Sequence, residues 1–258
     1  MEKYLKVLAA IGLVVSLSGI TARAAETDDR IVSSAKESYV FKTYLKGDDI
    51  KTESKDGIVT LSGTVSEESH KALAKETVAN LPGVKSVDDK LTIEGERPAE
   101  ASDGWIGTQV KWSLIYNRNV SGLATQVLVK DGVVTLRGEA ENQAQKDLAG
   151  EYARDVKNVK DVKNEMTIAK VPSEPKKKTI GEKIDDASVT AQVKMAFLMR
   201  HSTSAFKTGV STNNGVVTLT GNVASEAGKS LSGKVAGDVN GVTSVVNNMI
   251  VVEPAPKK

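Results

Sequence analysis

The sequence predicts an α+β protein made of three tandem αββαβ repeats, each with a small three-stranded mixed sheet and two helices packed on it. The first observation behind this prediction is a motif that occurs three times, as DGIVTLSG at 56–63, DGVVTLRG at 131–138 and NGVVTLTG at 214–221. The second is that the apolar positions around the motif align in the three copies without a gap. We number the copies repeat 1, repeat 2 and repeat 3.

The motif has the pattern of a β-hairpin. Asp-Gly or Asn-Gly before a β-branched run favours a type I′ turn, which requires positive φ at both central residues. Alternation along the following strand places Val59, Leu61 and Gly63 on one face. A glycine on that apolar face predicts that a helix passes close over the sheet there. The structural glycines of the motif are Gly57, Gly132 and Gly215 in the turns and Gly63, Gly138 and Gly221 on the strands.

A predicted helix lies on each side of every hairpin. The first helix contains Ala35, Val110 or Val193, each 22 residues before its turn glycine and part of an apolar stripe with helical spacing. Asp29 and Asp186 lie near the predicted starts of their helices, where a carboxylate interacts favourably with the helix dipole. A second helix and a third, apolar strand follow the hairpin and complete the αββαβ order.

The beginning of the chain is typical of a secretory signal. A basic start, an apolar run at 7–17 and the sequence Ala22-Arg23-Ala24 predict a signal peptide over 1–24 that is cleaved after Ala24, and hence a periplasmic protein. An uncleaved anchor helix is the alternative, although the apolar run is only about half as long as a bilayer span. Polar, proline-bearing stretches delimit the domains. The predicted segments are repeats at 25–95, 104–170 and 185–252, linkers at 96–103 and 171–184, and a tail at 253–258.

Charge and composition exclude several classes of protein. The formal net charge is +2, and the predicted signal carries all of it, which leaves 32 basic and 32 acidic residues in the mature chain. A general nucleic-acid binder needs a basic excess to offset phosphate charge, so nucleic acid is not an expected partner. The chain has no cysteine, which excludes disulfides, thiolate nucleophiles and thiolate metal sites.

No set of residues has the pattern of an active site. His70 and His201 are the only histidines and lie in different repeats, which argues against a metal site. The pair Asp88-Asp89 is absent from the sister repeats, and the stretch at 227–230 lacks the upstream glycine of a phosphate-binding loop. We therefore expect no enzyme, no cofactor, no metal and no small-molecule substrate.

The repeated motif resembles the BON-domain family. The resemblance rests on the hairpin motif, the helix after it and a Gly/Asn-Val-x-x-Val stretch at 83–87, 158–162 and 241–245, and it covers nearly all of the chain after the signal. A signal peptide with tandem BON domains is similar to the osmotically inducible periplasmic proteins of that family. The resemblance implies phospholipid binding in envelope maintenance or osmotic stress, or chaperone-like help to exported proteins. It implies no catalytic residue. Asn158 replaces a glycine of the other repeats, and this departure from the pattern concerns the geometry of that turn alone.

The first helices of repeats 2 and 3 are apolar on their outward sides as well, so each needs a partner outside its own sheet. The candidate binding residues are Trp105, Trp112, Ile115 and Tyr116 in repeat 2 and Met195, Leu198 and Met199 in repeat 3. Three interpretations stay open. The outward faces bind a phospholipid membrane surface, they bind exported client proteins as a holdase, or they pack between repeats or in an oligomer as a structural module. The sequence does not indicate the oligomeric state.

Overall fold

The computed structural model describes residues 15–95, 98–120, 122–169, 184–203 and 207–252. The predicted α+β architecture is confirmed in these residues, because each repeat has a central hairpin strand with an antiparallel neighbour on one side and a parallel neighbour on the other. Most of the predicted signal peptide, the second linker and the tail lie outside the described residues. Of the helices described, none is long and apolar enough to cross a membrane.

Repeat 1 follows the predicted order, with one interruption in its first helix. Its elements are α1 (Val15–Glu37), α2 (Tyr39–Thr43), β1 (Asp49–Lys55), β2 (Ile58–Val65), α3 (Glu68–Ala79) and β3 (Ser86–Ile93). The interruption lies at Ser38, whose Oγ accepts a hydrogen bond from the Phe41 N–H and caps α2. Because α1 begins at Val15, Asp29 lies in the second half of the helix, and the prediction that it is near a helix start is wrong.

Repeats 2 and 3 share a split third strand. The elements of repeat 2 are α4 (Asp103–Ile115), β4 (Gln126–Lys130), β5 (Val133–Arg137), β6 (Glu139–Ala140), α5 (Gln143–Arg154), β7 (Asp161–Asn164) and β8 (Thr167–Ile168). Those of repeat 3 are α6 (Asp186–Met199), β9 (Lys207–Asn213), β10 (Val216–Val223), α7 (Glu226–Gly237), β11 (Ser244–Asn247) and β12 (Ile250–Val251). The split strands pair in parallel with the hairpin strand of their repeat.

The turns have the backbone that the sequence predicts, but the strand glycines have a different role. Asp56 and Gly57 have φ of 53° and 80°, and the other two turns are alike. Gly63 has φ of 113°, and an added Cβ would lie 2.0 Å from the carbonyl oxygen of Asp49 in the neighbouring strand. The prediction that this glycine gives clearance to a helix is therefore wrong. Glycine is required there by the left-handed backbone and the close approach of β1. Gly138 and Gly221 have the same conformation, with φ of 128° and 117°.

An aspartate of the first helix holds the hairpin turn in every repeat. Asp28 accepts hydrogen bonds from the Asp56 and Gly57 N–H groups at 2.7 and 2.9 Å and from Ser54 Oγ at 2.6 Å. Asp103 and Asp186 accept the same pair of N–H bonds in their repeats, at 2.7 and 2.8 Å. Each aspartate therefore joins the first helix to the turn 28 residues later.

Acid is expected to weaken this joint in repeat 1. The hydrogen bonds from Ser54 and then from Gly57 hold the pKa of Asp28 below its ordinary value. A lowered folded-state pKa contributes stability above the unfolded-state pKa of about 4, and this contribution is lost as the pH falls through the folded-state value. We expect Asp28→Asn to lower the thermal unfolding midpoint at neutral pH and the difference from wild type to shrink in acid. Asp29→Asn is the matched control on the exposed side of α1, and a difference that persists in acid would contradict the prediction.

Candidate binding groove between the repeats

Four of the candidate residues are buried between the repeats. Trp112, Tyr116, Met195 and Met199 are at most 7% exposed, and they share one hydrophobic cluster with the helices of repeat 1. Repeat 1 covers the outward faces of the first helices at these four positions. Packing between repeats was one of the interpretations that the sequence left open.

The other three candidates lie in different surroundings. Ile115 is half-buried against the same cluster. Trp105 packs partly on the core of repeat 2 and lines a cavity of about 290 Å³ beside Glu67 and Ser69. Leu198 is 56% exposed and lies on the open surface of α6. The structure therefore brings five of the seven candidates together and leaves Trp105 and Leu198 outside the cluster.

We call the apolar surface on the outer sides of α4 and α6 the α4–α6 groove. It is formed by Trp112, Tyr116, Ala187, Ala191, Met195 and Met199. Repeat 1 occupies this groove with α2, with Tyr44 directly after α2, and with α3. The Tyr44 ring meets the rings of Trp112 and Tyr116 edge-on at 5.7 and 5.6 Å, and Trp112 stacks on Tyr116 at 5.4 Å. Such aromatic contacts add about 0.5–1.5 kcal/mol each to the burial of area.

Polar contacts join the first turn of α2 to the start of α6. The Tyr39 N–H donates to Asp185 Oδ2 at 2.8 Å, and the Val40 N–H donates to Ser188 Oγ at 3.1 Å. Both N–H groups belong to the start of a short helix and lack a partner within it. Asp185 also caps α6 through the Ser188 N–H at 2.8 Å. The Asp185 carboxylate therefore accepts hydrogen bonds at the N-terminus of α2 in repeat 1 and of α6 in repeat 3.

Two charged or polar pairs flank the groove. Lys194 Nζ lies 2.9 Å from Glu76 Oε2, and Trp112 Nε1 donates to Glu67 Oε1 at 2.5 Å. Among the described residues, every hydrogen bond between repeat 1 and the other repeats involves a side chain, and no backbone N–H of one donates to a backbone carbonyl of the other. Repeat 1 is thus held by side chains and apolar packing.

The groove also contains a polar group that weakens this packing. The Tyr116 hydroxyl is fully buried and has no hydrogen-bond partner among the described residues. Burial, followed by the proximity of Tyr44 and Glu67, raises the pKa of Tyr116 well above its ordinary value. Leaving a buried hydroxyl unpaired costs about 1–3 kcal/mol, so part of the gain from covering the groove is lost.

A histidine beside the groove resembles a catalytic triad but does not have its geometry. His70 Nδ1 lies 2.5 Å from Asp48 Oδ2 and 3.0 Å from Ser66 Oγ. A relay of the Ser-His-Asp type needs its two partners on opposite ring nitrogens, whereas here both meet Nδ1. Nε2 faces Glu67 at 3.4 Å instead. In the described part of the chain, no group of His, Asp and Glu has the arrangement of a metal site.

Comparison with known proteins decides the family. The model of the BON domain matches residues 27–95, 102–170 and 185–253. The chain belongs to the BON-domain family. The osmotically-inducible protein Y of Escherichia coli (strain K12) is 33% identical over 143 residues, which are 54% of this chain and 71% of that protein.

The solved structures that align with this BON-domain chain are only distantly similar to it. The C-terminal domain of CdsD, a structural protein of the type III secretion system of Chlamydia trachomatis, aligns over 86% of this chain and 97% of its own, with 16% identity and a TM-score of 0.23. The periplasmic domain of PrgH aligns over 81% of this chain and 98% of its own, with 10% identity and a TM-score of 0.20. These scores are too low to support any statement about the arrangement of the three BON repeats.

Sequence reasoning missed the residues of repeat 1 that cover the groove, above all Tyr44 and Glu67. One signal could have indicated a covered helix. In α6, 11 of the 14 residues are buried, and between Asp186 and Lys194 its polar positions hold the uncharged residues Ser188, Thr190 and Gln192. Two helical turns without a charged residue on any side are typical of burial all round.

Proposed function

We propose that this BON-domain protein binds apolar segments of other polypeptides and performs no chemistry on them, in the manner of a holdase. The observation that supports this proposal is the α4–α6 groove, lined by aromatic and methionine side chains and filled here by the helices of repeat 1. A groove that accepts amphipathic helices of its own chain has the shape and chemistry for similar segments of another. Methionine side chains adapt to different apolar partners because they are flexible and polarisable.

Access to the groove requires repeat 1 to leave it. Repeat 1 is attached through side chains, and the unpaired Tyr116 hydroxyl lowers the stability of the covered state. Motion of one domain against another is the ordinary expectation where the interface between them is not large and purely apolar. The binding-competent state is then one in which repeat 1 has moved away and remains tethered to repeat 2.

A phospholipid surface fits the described structure less well. The large apolar side chains that are exposed lie scattered over all three repeats, as Ile58, Leu128, Ile168, Leu198, Val246, Ile250 and Val252. Single exposed apolar residues are normal on soluble proteins. The mature chain also lacks the basic excess that attracts anionic head groups. The osmotic and periplasmic setting of the function is proposed from the name of the E. coli relative and from the predicted signal.

A cross-link between repeat 1 and α6 tests the proposal. Glu76 and Lys194 meet at 2.9 Å on a partly exposed edge, and the chain has no cysteine, so Glu76→Cys/Lys194→Cys can be joined specifically by a short bis-maleimide. The control is the same variant treated with N-ethylmaleimide. We expect the control to suppress the aggregation of a denatured model protein and the cross-linked form to lose most of that activity.

Each other outcome has a definite meaning. If neither form suppresses aggregation, the holdase proposal is wrong. Equal suppression by both forms would show that clients bind elsewhere than in the α4–α6 groove. Co-sedimentation with anionic and neutral phospholipid vesicles is measured in parallel, and binding to vesicles without any effect on the model client would favour the phospholipid interpretation.

A further inference from the structure

Repeats 2 and 3 contact each other through the same positions of both. Two antiparallel bridges join them, Asn117 with Val239 and Val156 with Arg200. Counted from the turn glycines, Asn117 and Arg200 are both at position −15, and Val156 and Val239 are both at position +24. Each bridge therefore joins the end of the first helix of one repeat to the end of the second helix of the other.

The backbone hydrogen bonds beside the bridges are reciprocal as well. At position −14, the Arg118 N–H donates to the Asp238 carbonyl at 3.0 Å, and the His201 N–H donates to the Asp155 carbonyl at 2.7 Å. At position +25, the N–H groups of Asn240 and Lys157 donate to the carbonyls at position −16 of the other repeat, at 3.0 and 3.5 Å. Four backbone hydrogen bonds thus form two equivalent pairs.

The side chains at position +23 repeat the same relation. The Asp238 carboxylate accepts a hydrogen bond from Asn119 Nδ2 at 3.0 Å, and the Asp155 carboxylate accepts one from Ser202 Oγ at 2.6 Å. Asn119 and Ser202 are both at position −13. A contact in which position i meets position j and position j meets position i is the isologous contact of a two-fold dimer.

We propose that the C-terminal ends of the two helices of a BON repeat form a self-complementary pairing surface whose partner is a second BON repeat. Repeats 2 and 3 satisfy this surface on each other. Its recognition chemistry is the pair of backbone N–H groups at −14 and +25, the backbone carbonyls at −16 and +23 that accept from them, and the carboxylate at +23. This proposal is independent of what the α4–α6 groove binds.

Repeat 1 lacks two of these groups. At position +25 it has Pro82, which carries no N–H and cannot donate the hydrogen bond that Lys157 and Asn240 donate. At position +23 it has Asn80 in place of the aspartate. If repeat 1 were the partner, the carbonyl at position −16 of repeat 2 would face Pro82 and receive no hydrogen bond. This missing donor disfavours repeat 1 as a partner, so repeat 2 pairs with repeat 3. Repeat 1 covers the groove without any backbone-to-backbone hydrogen bond to repeats 2 and 3 among the described residues.

Charged groups make the pairing surface more selective. Arg118 Nη1 donates to the Val242 carbonyl at 2.8 Å, and Arg118 Nη2 donates to the Gly237 carbonyl. Arg200 is 5% exposed, lies over the Tyr152 ring at 4.3 Å and bonds Asp155 at 3.2 Å. Leaving a buried charge without its partner strongly destabilises a protein. A repeat that lacks these groups would therefore pair poorly with repeat 2 or repeat 3.

Nicking the full chain between repeats 2 and 3 tests the pairing. A site for a sequence-specific protease is inserted between Lys176 and Lys177, the protein is cleaved without denaturation, and the dissociation constant of the two pieces is measured on dilution. The test variant Lys157→Pro/Asn240→Pro places at position +25 the residue that repeat 1 tolerates there. The control Lys157→Ala/Asn240→Ala makes the same side-chain truncations and keeps both N–H groups.

We expect the two pieces of the nicked wild type, and those of the alanine variant, to stay associated. The dissociation constant of the proline variant should be at least about tenfold larger than that of the alanine variant. Circular dichroism of the separated pieces checks that the repeats remain folded. Arg118→Ala/Asn119→Ala, on the other side of the contact, is a second weakening variant that introduces no proline. Equal dissociation constants for the proline and alanine variants, or separation of the nicked wild type at micromolar concentration, would overturn the proposal.

Discussion

Replacing Trp112 with alanine is expected to lower the free energy of unfolding of the whole chain by about 3–4 kcal/mol. The side chain is 7% exposed, stacks on Tyr116 and meets the ring of Tyr44. Its removal leaves a cavity between repeats and takes the indole N–H away from Glu67. Denaturant unfolding, followed by far-UV circular dichroism, measures the change.

The second tryptophan provides the control for this prediction. Trp105 is only partly buried and packs on the core of its own repeat, so Trp105→Ala should cost about 1–2 kcal/mol. Trp112→Ala should also weaken client binding, because the indole is part of the α4–α6 groove. A Trp112→Ala protein that is as stable as Trp105→Ala would contradict the inter-repeat position of this side chain. If a destabilised Trp112→Ala protein still binds clients fully, Trp112 does not contribute to client binding.

Replacing Tyr44 with alanine is expected to open the groove. Tyr44 belongs to repeat 1, so its removal weakens the cover and leaves the groove residues unchanged. Loss of a ring that is 9% exposed costs about 3 kcal/mol, which would raise the population of the open state by about two orders of magnitude if the whole cost falls on the docked repeat. We expect tighter binding of model clients and a red shift of Trp112 fluorescence, measured in a Trp105→Phe background.

An exposed neighbour separates this effect from a general loss of stability. Lys42 lies on the solvent side of α2, and Lys42→Ala should leave both client binding and the fluorescence of Trp112 unchanged. Client binding that falls in Tyr44→Ala, together with its stability, would show that repeat 1 is part of the binding surface and not its cover.

The local structure could be predicted because it depends on residues close in sequence. The Asp-Gly and Asn-Gly turns adopt positive φ at both positions, as the type I′ hairpin requires. Asn158, in place of a glycine, keeps the left-handed backbone with φ of 66°, because asparagine tolerates this conformation. The aspartate that holds each turn could also have been predicted from the sequence, because Asp28, Asp103 and Asp186 all lie 28 residues before the first turn residue.

The partner of each apolar face could not be predicted in the same way. The sequence shows that the outer faces of α4 and α6 need burial, but hydrophobic burial has no direction and does not select its partner. A membrane, a client, a second copy and a neighbouring repeat all satisfy that need equally in a linear pattern. The same limit applies to Gly63, whose neighbour is the backbone of β1 and not a helix.

By itself the sequence determined three αββαβ repeats and their hairpin turns, because these follow from periodicity and turn chemistry within about 65 residues. The repeated motif also indicated the family, through its resemblance to the BON domain. Only the tertiary structure decided that repeats 2 and 3 pair by reciprocal backbone hydrogen bonds and that repeat 1 covers the α4–α6 groove. Both results depend on a few positions at which the repeats differ, such as Pro82 against Lys157 and Asn240. Their significance appears only once the facing carbonyls are in place.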